Sequence, residues 1–461
     1  MRDTANPVLQ APGRGAPDGG LRQPATGTNR TLPLRQSNRG GGNDMRVSRK
    51  LGVLSALATL ALAGQALADP VCGANTGQAA SGEPIIVGGI YGDAAPGDWS
   101  SSTDSAAAYF ACVNANGGIH GRPVDYRVAN DQWNPESAAQ AAALLVNDTP
   151  TVAMVGNGSF IEMAVNAATY EAAGIMVMAS ACAISECFET PNIVSTNQGP
   201  LPSNLGAAQY AQEELGATHV ACIGLNIPNN GIWSCGAVND FMASRGGQGT
   251  TVLLNPGAPD VNSALLEAMA SGADTILINQ PAGLAIAILN AAREQDLRDQ
   301  FNWIAPTPLY DLSVPAALGE YWDGHVYVNA ELAPLDLNGP DAQNWVAVLD
   351  AYGNEGDPRD TFGQAGYLSA RFFTEALMAM DPAQVGDRAA VAEAIRGISG
   401  YTSDLMCGPY YVGDAAFHMP NHAGYMVRIA NGGFEVVREC YEYDSPYFEP
   451  HRALEAELGL N

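Results

Sequence analysis

Ile85-Ile86-Val87-Gly88-Gly89-Ile90 is a short apolar run closed by a loop, the pattern of a strand buried on both faces. What surrounds it decides the fold class. A loop over 91–100 leads into a helical stretch over 101–116, which Asn116-Gly117-Gly118 stops, and Val124 to Val128 reads as the next strand. Asn134-Pro135-Glu136 opens another helix with proline in its first turn, running to Val146. Strand 151–155, helix 159–173 and strand 175–178 follow. The alternation then continues: helix 207–215 and strand 220–223, helix 232–244 and strand 251–254, helix 263–270 and strand 275–278, helix 284–295 and strand 303–305. Strands alternating with helices at this spacing predict parallel sheets covered on both faces. These units are too many for one sheet of usual size, and 461 residues exceed one ordinary core, so the expectation is an α/β chain with two lobes. Ligands in such sheets sit beyond the carboxyl ends of the strands, so two facing lobes would surround one cleft.

Charge narrows the function. The chain carries 48 acidic residues against 21 Lys+Arg. The first 68 residues hold nine of the bases and three of the acids, which leaves residues 69–461 with 12 arginines, 45 acids and a net charge of −33. Such a body repels phosphate backbones, which argues against nucleic acid as a partner. Lys50 is the only lysine, so the rest of the chain offers no P-loop, Schiff-base or kinase lysine. An acidic, lysine-free surface also fits salty surroundings, where hydrated carboxylates keep a protein dispersed.

The first segment reads as an address. Residues 1–44 are rich in Gly, Pro, Arg, Asn and Thr without apolar periodicity, and read as disordered and as lying outside the native protein, with translation expected to begin at Met45. Arg46, Arg49 and Lys50 precede the apolar run Leu51 to Ala63, and Ala66-Leu67-Ala68 forms a small-x-small cleavage site before Asp69. Residues 45–68 are therefore expected to be a signal peptide, and the run is too short to span a bilayer. An exported chain with eight cysteines is expected to pair them. Proximity suggests Cys182–Cys187 and Cys222–Cys235, with Cys72–Cys112 and Cys407–Cys440 as the remainder.

Several motifs support a more specific reading. Asn114-Ala115-Asn116-Gly117-Gly118-Ile119-His120-Gly121-Arg122-Pro123-Val124 is followed by Asn130-Asp131, Asn134-Pro135-Glu136-Ser137-Ala138, Val155-Gly156 and Tyr170-Glu171-Ala172-Ala173-Gly174-Ile175. Gly408-Pro409-Tyr410-Tyr411 and Asn431-Gly432-Gly433-Phe434 stand near the end. Over nearly all of 83–440 this resembles the leucine/isoleucine/valine-binding protein family, the type I periplasmic solute-binding proteins of ABC transporters. The resemblance implies two Rossmann-like lobes with parallel central sheets, joined by a three-crossover hinge with the ligand cleft between them. Lobe 1 would be 83–224 plus 331–424, lobe 2 would be 225–330 plus 425–440, and 441–461 a C-terminal tail. It also implies a periplasmic monomer without catalytic residues, cofactor or metal, which hands a small-molecule ligand to the permease and ATPase subunits of an importer. The alternative is a ligand-sensing receptor or regulator on the same fold.

Matched to the family, the positions that would hold an α-amino acid are altered. Phe160, with Ser159 before it, stands where a hydroxyl would meet the ligand carboxylate. Ala183, after Ala181 and Cys182, replaces a second hydroxyl. Asn226, or Leu225 if the match shifts by one residue, and Thr307 stand where acids would meet the ammonium. A buried ammonium without a partner costs several kcal/mol, so the expected ligand is apolar or aromatic and not an α-amino acid. Trp99, Phe160, Trp233, Tyr310 and Tyr367 are expected as aromatic contacts, and Asn226, Asn230, Gln280 and Gln364 as uncharged polar ones. A ligand carboxylate is admitted too, held by backbone N–H groups where Gly156-Asn157-Gly158-Ser159 opens a helix. His418 and His422 have metal-like spacing, but Pro420 between them favours a loop without metal.

Overall fold

The structure, a computed structural model, describes residues 69–461 apart from 95–96, 160, 414–418, 420–421 and 461. The expected leader segments 1–44 and 45–68 lie outside the described residues, as do Phe160 and His418.

The first sheet begins with β1 (Ile85–Tyr91). A short hairpin, β2 (Asp93–Ala94) and β3 (Gly97–Asp98), leads to α1 (Ser100–Ala115). Next come β4 (Val124–Asn130), α2 (Pro135–Ala142), β5 (Ala153–Ser159), α3 (Glu162–Ala173), β6 (Met176–Cys182), α4 (Glu186–Glu189) and β7 (Ile193–Ser195). The five long-range partners lie in the order β4-β1-β5-β6-β7, all parallel. Local chemistry sets the helix ends. The Asn134 side chain accepts from the Glu136 and Ser137 N–H groups, and Gly174 closes α3 at φ 63°.

The second sheet takes β8 (His219–Leu225), β9 (Gln248–Leu254), β10 (Thr275–Asn279), β11 (Asn302–Ala305) and β12 (Val326–Ala330) in parallel. Its helices are α5 (Pro200–Glu214), α6 (Gly231–Ser244), α7 (Val261–Ala270) and α8 (Ala282–Glu294), with the short α9 (Ser313–Leu318). Then α10 (Pro340–Tyr352), α11 (Thr361–Met378) and α12 (Arg388–Arg396) return to the first sheet. Finally β13 (Ala423–Ala430) and β14 (Gly433–Glu442) add to the second sheet antiparallel, giving β14-β13-β12-β11-β10-β8-β9, and α13 (Glu449–Leu458) ends the chain. Every residue of β6 and β10 is buried, as expected for strands covered on both faces. The fold class is the expected one, α/β with parallel-sheet cores in two lobes.

Three details differ from expectation. The boundary at 224/225 falls inside β8, which pairs with β9 and β10, so the chain leaves the first sheet earlier, over 196–199. Helix α5 starts at Pro200 and not near 207, because two prolines fit its first turn. The stretch 441–461 is not a tail: it finishes β14 and folds into α13, with Tyr443 and Phe448 fully buried.

Three connections pass between the lobes, after β7, after β12 and after α12. They are stitched side by side. Glu331 accepts the Gln198 and Gly199 N–H groups at 2.7 and 3.2 Å. The Gln198 amide donates to Ala423 O, and the Ala333 N–H donates to Leu405 O at 2.9 Å. All four disulfides are formed, Cys72–Cys112, Cys182–Cys187, Cys222–Cys235 and Cys407–Cys440, with Cα atoms 5.4 to 6.3 Å apart.

Small residues on α1 let α11 approach closely, and a Cβ added to Gly366 would run into the Ser102 backbone carbonyl. Helix propensity alone favours alanine by about 1 kcal/mol, but the overlap meets rigid backbone. Gly366→Ala is therefore expected to destabilise by about 3 kcal/mol, read as a lowered urea midpoint. An unchanged midpoint would show that the two helices can part at little cost.

Candidate functional site

The carboxyl ends of strands in both sheets converge on one cavity with an empty volume of about 430 Å³, counting the space toward solvent at its mouth. From the first lobe come Trp99 just before α1, Cys182 and Ala183 at the end of β6, and Phe362 in the first turn of α11. From the second come Leu225 at the end of β8, Asn230 before α6, Asn279, Gln280 and Pro281 after β10, and Thr307 and Pro308 after β11. The connecting segments add Asn197, Gly199, Pro200 and Glu331. This is the position an open parallel sheet assigns to ligands, doubled by the second lobe.

The apolar part of the wall is continuous across the lobes. Trp99, Ala181 and Ala183 pack with Leu225 and Leu284, and the half-buried Trp133, Ile161, Phe362 and Ile227 border them. The Trp99 ring lies 5.0 Å from that of Phe362 and meets Trp133 edge-on at 5.4 Å. The polar part is made of amides. Asn197 exchanges two hydrogen bonds of 3.1 Å with the Cys182 backbone. Asn279 donates to Ser234 Oγ at 2.8 Å, Gln280 to Ile223 O at 3.1 Å, and Asn230 to Ala183 O across the lobes. None of the lining residues is Lys, Arg or His. Among the described residues, the ionisable side chain in the wall is Glu331, 2% exposed, whose carboxyl burial pushes up to about 7 against the two backbone N–H groups and Asn197 that favour its charged form.

Of the residues expected from sequence, Trp99, Cys182, Ala183, Gln280 and Thr307 line the cavity, with Asn230 beside them. Ala181 sits in the apolar cluster behind it. The others are elsewhere. Ser159 ends β5, bonds Asp131, and accepts the Ile161 and Glu162 N–H groups at 3.2 and 3.1 Å. Those two amides are thus spent on a helix cap, and Gly156-Asn157-Gly158 is strand with Gly156 at φ 78°, not a loop open to an anion. Asn226 and Trp233 border a different surface hollow, where Trp233 stacks on Phe188 and donates to Glu189 at 3.0 Å. Tyr310 is core: its ring packs on Phe434 and its hydroxyl accepts the Leu335 N–H at 2.9 Å. Tyr367 is core too, edge-on to Tyr109 with its hydroxyl bonded by Asn344 at 2.8 Å. Gln364 donates to Ala333 O at 3.1 Å and is absent from the lining. The hydroxyl of Thr307 is committed between Asn329 O and the Glu331 N–H.

Sequence reading missed Asn197, Phe362 and Glu331, and gave Leu225 only as the alternative to Asn226. Asn197-Gln198-Gly199-Pro200 is a turn cluster after a strand, and Asp360 two residues before Phe362 is a helix cap, so both carried a usable signal.

The sequence model of the periplasmic binding protein family matches residues 84–433. The chain belongs to that family. A search of curated proteins gives no match. Among solved structures, a fatty acid ABC transporter substrate-binding protein from Thermomonospora curvata superposes with a TM-score of 0.67 at 18% identity, covering 80% of this chain and 95% of that one. A solute-binding protein of an ABC transporter from Rhodopseudomonas palustris HaA2, solved with p-hydroxybenzoic acid, gives 0.66 at 19%, covering 80% and 100%. A leucine-binding protein from Thermotoga maritima gives 0.64 at 18%, covering 78% and 99%. At these identities the superpositions establish the fold, which is the type I, two-lobed one. No helix among the described residues of this periplasmic binding protein is long and apolar enough to cross a membrane.

Proposed function

We propose that this protein captures a small apolar or aromatic molecule in the periplasm and delivers it to the permease and ATPase of an ABC importer, acting as a monomer without catalysis. The observation that carries the reading is the cavity where both sheets' strand ends meet, walled by Trp99, Phe362 and Leu225 and lacking any basic side chain. The three side-by-side connections between the lobes are suited to act as a hinge, so that ligand contacts on both lobes favour closure. An α-amino acid finds neither the hydroxyls nor the opposed charges it needs: Ser159 and Thr307 are committed to protein partners, and Ala183 has no polar group.

Calorimetry with the twenty common amino acids should show no submicromolar binding. A thermal-shift screen of aromatic and aliphatic compounds should yield a ligand that, at 100 times its Kd, stabilises by about 2.7 kcal/mol. Trp99→Ala should then weaken that ligand about thirtyfold, the effect of losing one large aromatic contact. A tightly bound amino acid, or a hit indifferent to Trp99→Ala, would sink the assignment.

A further inference from the structure

Building on that reading of the cleft, we infer that its ligand is uncharged and presents O–H or N–H donors on its apolar body, and that carboxylates are rejected. Gln280 and Asn230 line the cavity and are 1% and 3% exposed. The NH2 group of each is tied to a protein carbonyl, Ile223 O for Gln280 and Ala183 O for Asn230, which fixes the amides with their oxygens as the available ends. Both oxygens, Gln280 Oε1 and Asn230 Oδ1, are buried without a hydrogen-bond partner among the described residues. Buried acceptors without a donor are costly, so a ligand that brings donors to them gains what the empty site lacks. Gln280 and its partner Ile223 stand on the same lobe, so its placement does not depend on closure, whereas Asn230 is held by Ala183 of the other lobe and is fixed when the lobes meet.

The wall also offers little to an anion. Each of the four lining amides, Asn197, Asn230, Asn279 and Gln280, has one of its two N–H donors on a protein oxygen, which leaves at most a single neutral donor apiece for an anion. No Lys, Arg or His lines the cavity, and Glu331 adds a carboxyl, so a second carboxylate would be desolvated beside an acid without a counter-charge. The Ile161 and Glu162 amides at the start of α3 are taken by Ser159. The cleft is thereby separated in its ligand chemistry from the structurally similar protein solved with p-hydroxybenzoic acid. Glu331 already accepts two backbone N–H groups, which leaves it a weak sole partner for a cation.

The test is calorimetry on the mature chain at pH 8 with matched probes: 4-hydroxybenzoate, 4-hydroxybenzamide, 4-hydroxybenzyl alcohol and 4-hydroxybenzylamine, and in parallel octanoate, octanamide and octylamine. The amide or alcohol is expected to bind at least tenfold tighter than the carboxylate on the same body, and Gln280→Met to remove most of that preference while the melting temperature confirms a folded protein. Carboxylates binding as well as amides overturn this inference but leave the apolar-ligand reading standing. Amines binding ahead of both overturn the uncharged assignment. No binding by any probe of either set overturns the inference and the apolar-ligand reading together. Binding of the amides undiminished in Gln280→Met and in Asn230→Leu overturns the role given to the two oxygens.

Discussion

Full reduction of the four disulfides should leave the protein without a stable native state. The bridges close chain segments of 40, 33, 13 and 5 residues. Loop-closure entropy assigns about 4 kcal/mol to each of the two long ones, about 3 to the third and about 2 to the shortest, together about 13 kcal/mol. Net stabilities of folded domains are about 5–15 kcal/mol, so the loss is comparable to the whole. The bridges also sit at structural junctions. Cys222–Cys235 ties the middle of β8 to α6, both cysteines fully buried, and Cys407–Cys440 ties the third connection to β14. Urea unfolding of native protein, and of protein reduced and alkylated under denaturing conditions and then refolded, measures the difference. The alkylated protein should show no cooperative transition, while the double variant Cys222→Ala/Cys235→Ala should retain one at a midpoint lowered by about 3 kcal/mol of stability. A reduced chain that unfolds cooperatively within about 2 kcal/mol of the native one would show that packing alone holds the fold.

Which parts of this were legible in sequence follows from what each signal depends on. The alternation of strands and helices from Ile85 to Ala305 was readable because side-chain periodicity is local. Two disulfides were readable from proximity, and the other two followed once those were placed. Which sheet a strand joins is not local. β8 carries the same buried apolar pattern as β6, and nothing in either run says that the chain has crossed between lobes at 196–199. The site divides in the same way. Gln280 and Ala183 were found because they stand just past strand ends. Tyr310 stands in the loop after β11 and Tyr367 lies inside α11, but an aromatic at either place serves core and cleft equally well, and both were claimed by the core. Glu331 was invisible because its meaning comes from Gln198 and Gly199, more than 130 residues away in sequence.

Stability should fall as pH rises from 5 to 8.5, the reverse of what ion-paired carboxylates produce. Glu162 is fully buried at the start of α3, where its Oε1 accepts from Tyr170 and, at 3.1 Å, from Asn157, while Oε2 has no partner among the described residues. Burial raises its carboxyl from 4.5 to about 8, outweighing those two hydrogen bonds. Burial likewise raises Glu331 to about 7, and burial with the Asp357 charge raises the half-buried Asp104 to about 6. Each folded value lies above the unfolded one, so the folded state binds more protons. The stability these acids contribute is therefore complete below about pH 4.5 and lost as pH climbs through 6, 7 and 8. At about 1.4 kcal/mol per unit, with Asp104 discounted for its exposure, the loss between pH 5 and 8.5 is on the order of 7 kcal/mol. Repulsion among the other acids acts in the same direction, so urea midpoints should be measured in molar salt, where that part is screened. Glu162→Gln separates the causes. Its carbonyl can keep the Tyr170 and Asn157 contacts, but its amide N–H groups replace a bare oxygen in a buried site, so the variant should be the less stable protein at pH 5. At pH 8.5 it has no charge to bury and should be the more stable one, and the two curves should cross between. Parallel curves, or a wild-type profile flat from pH 5 to 8.5 in molar salt, would mean that water reaches Glu162 and that its carboxylate is tolerated inside the lobe.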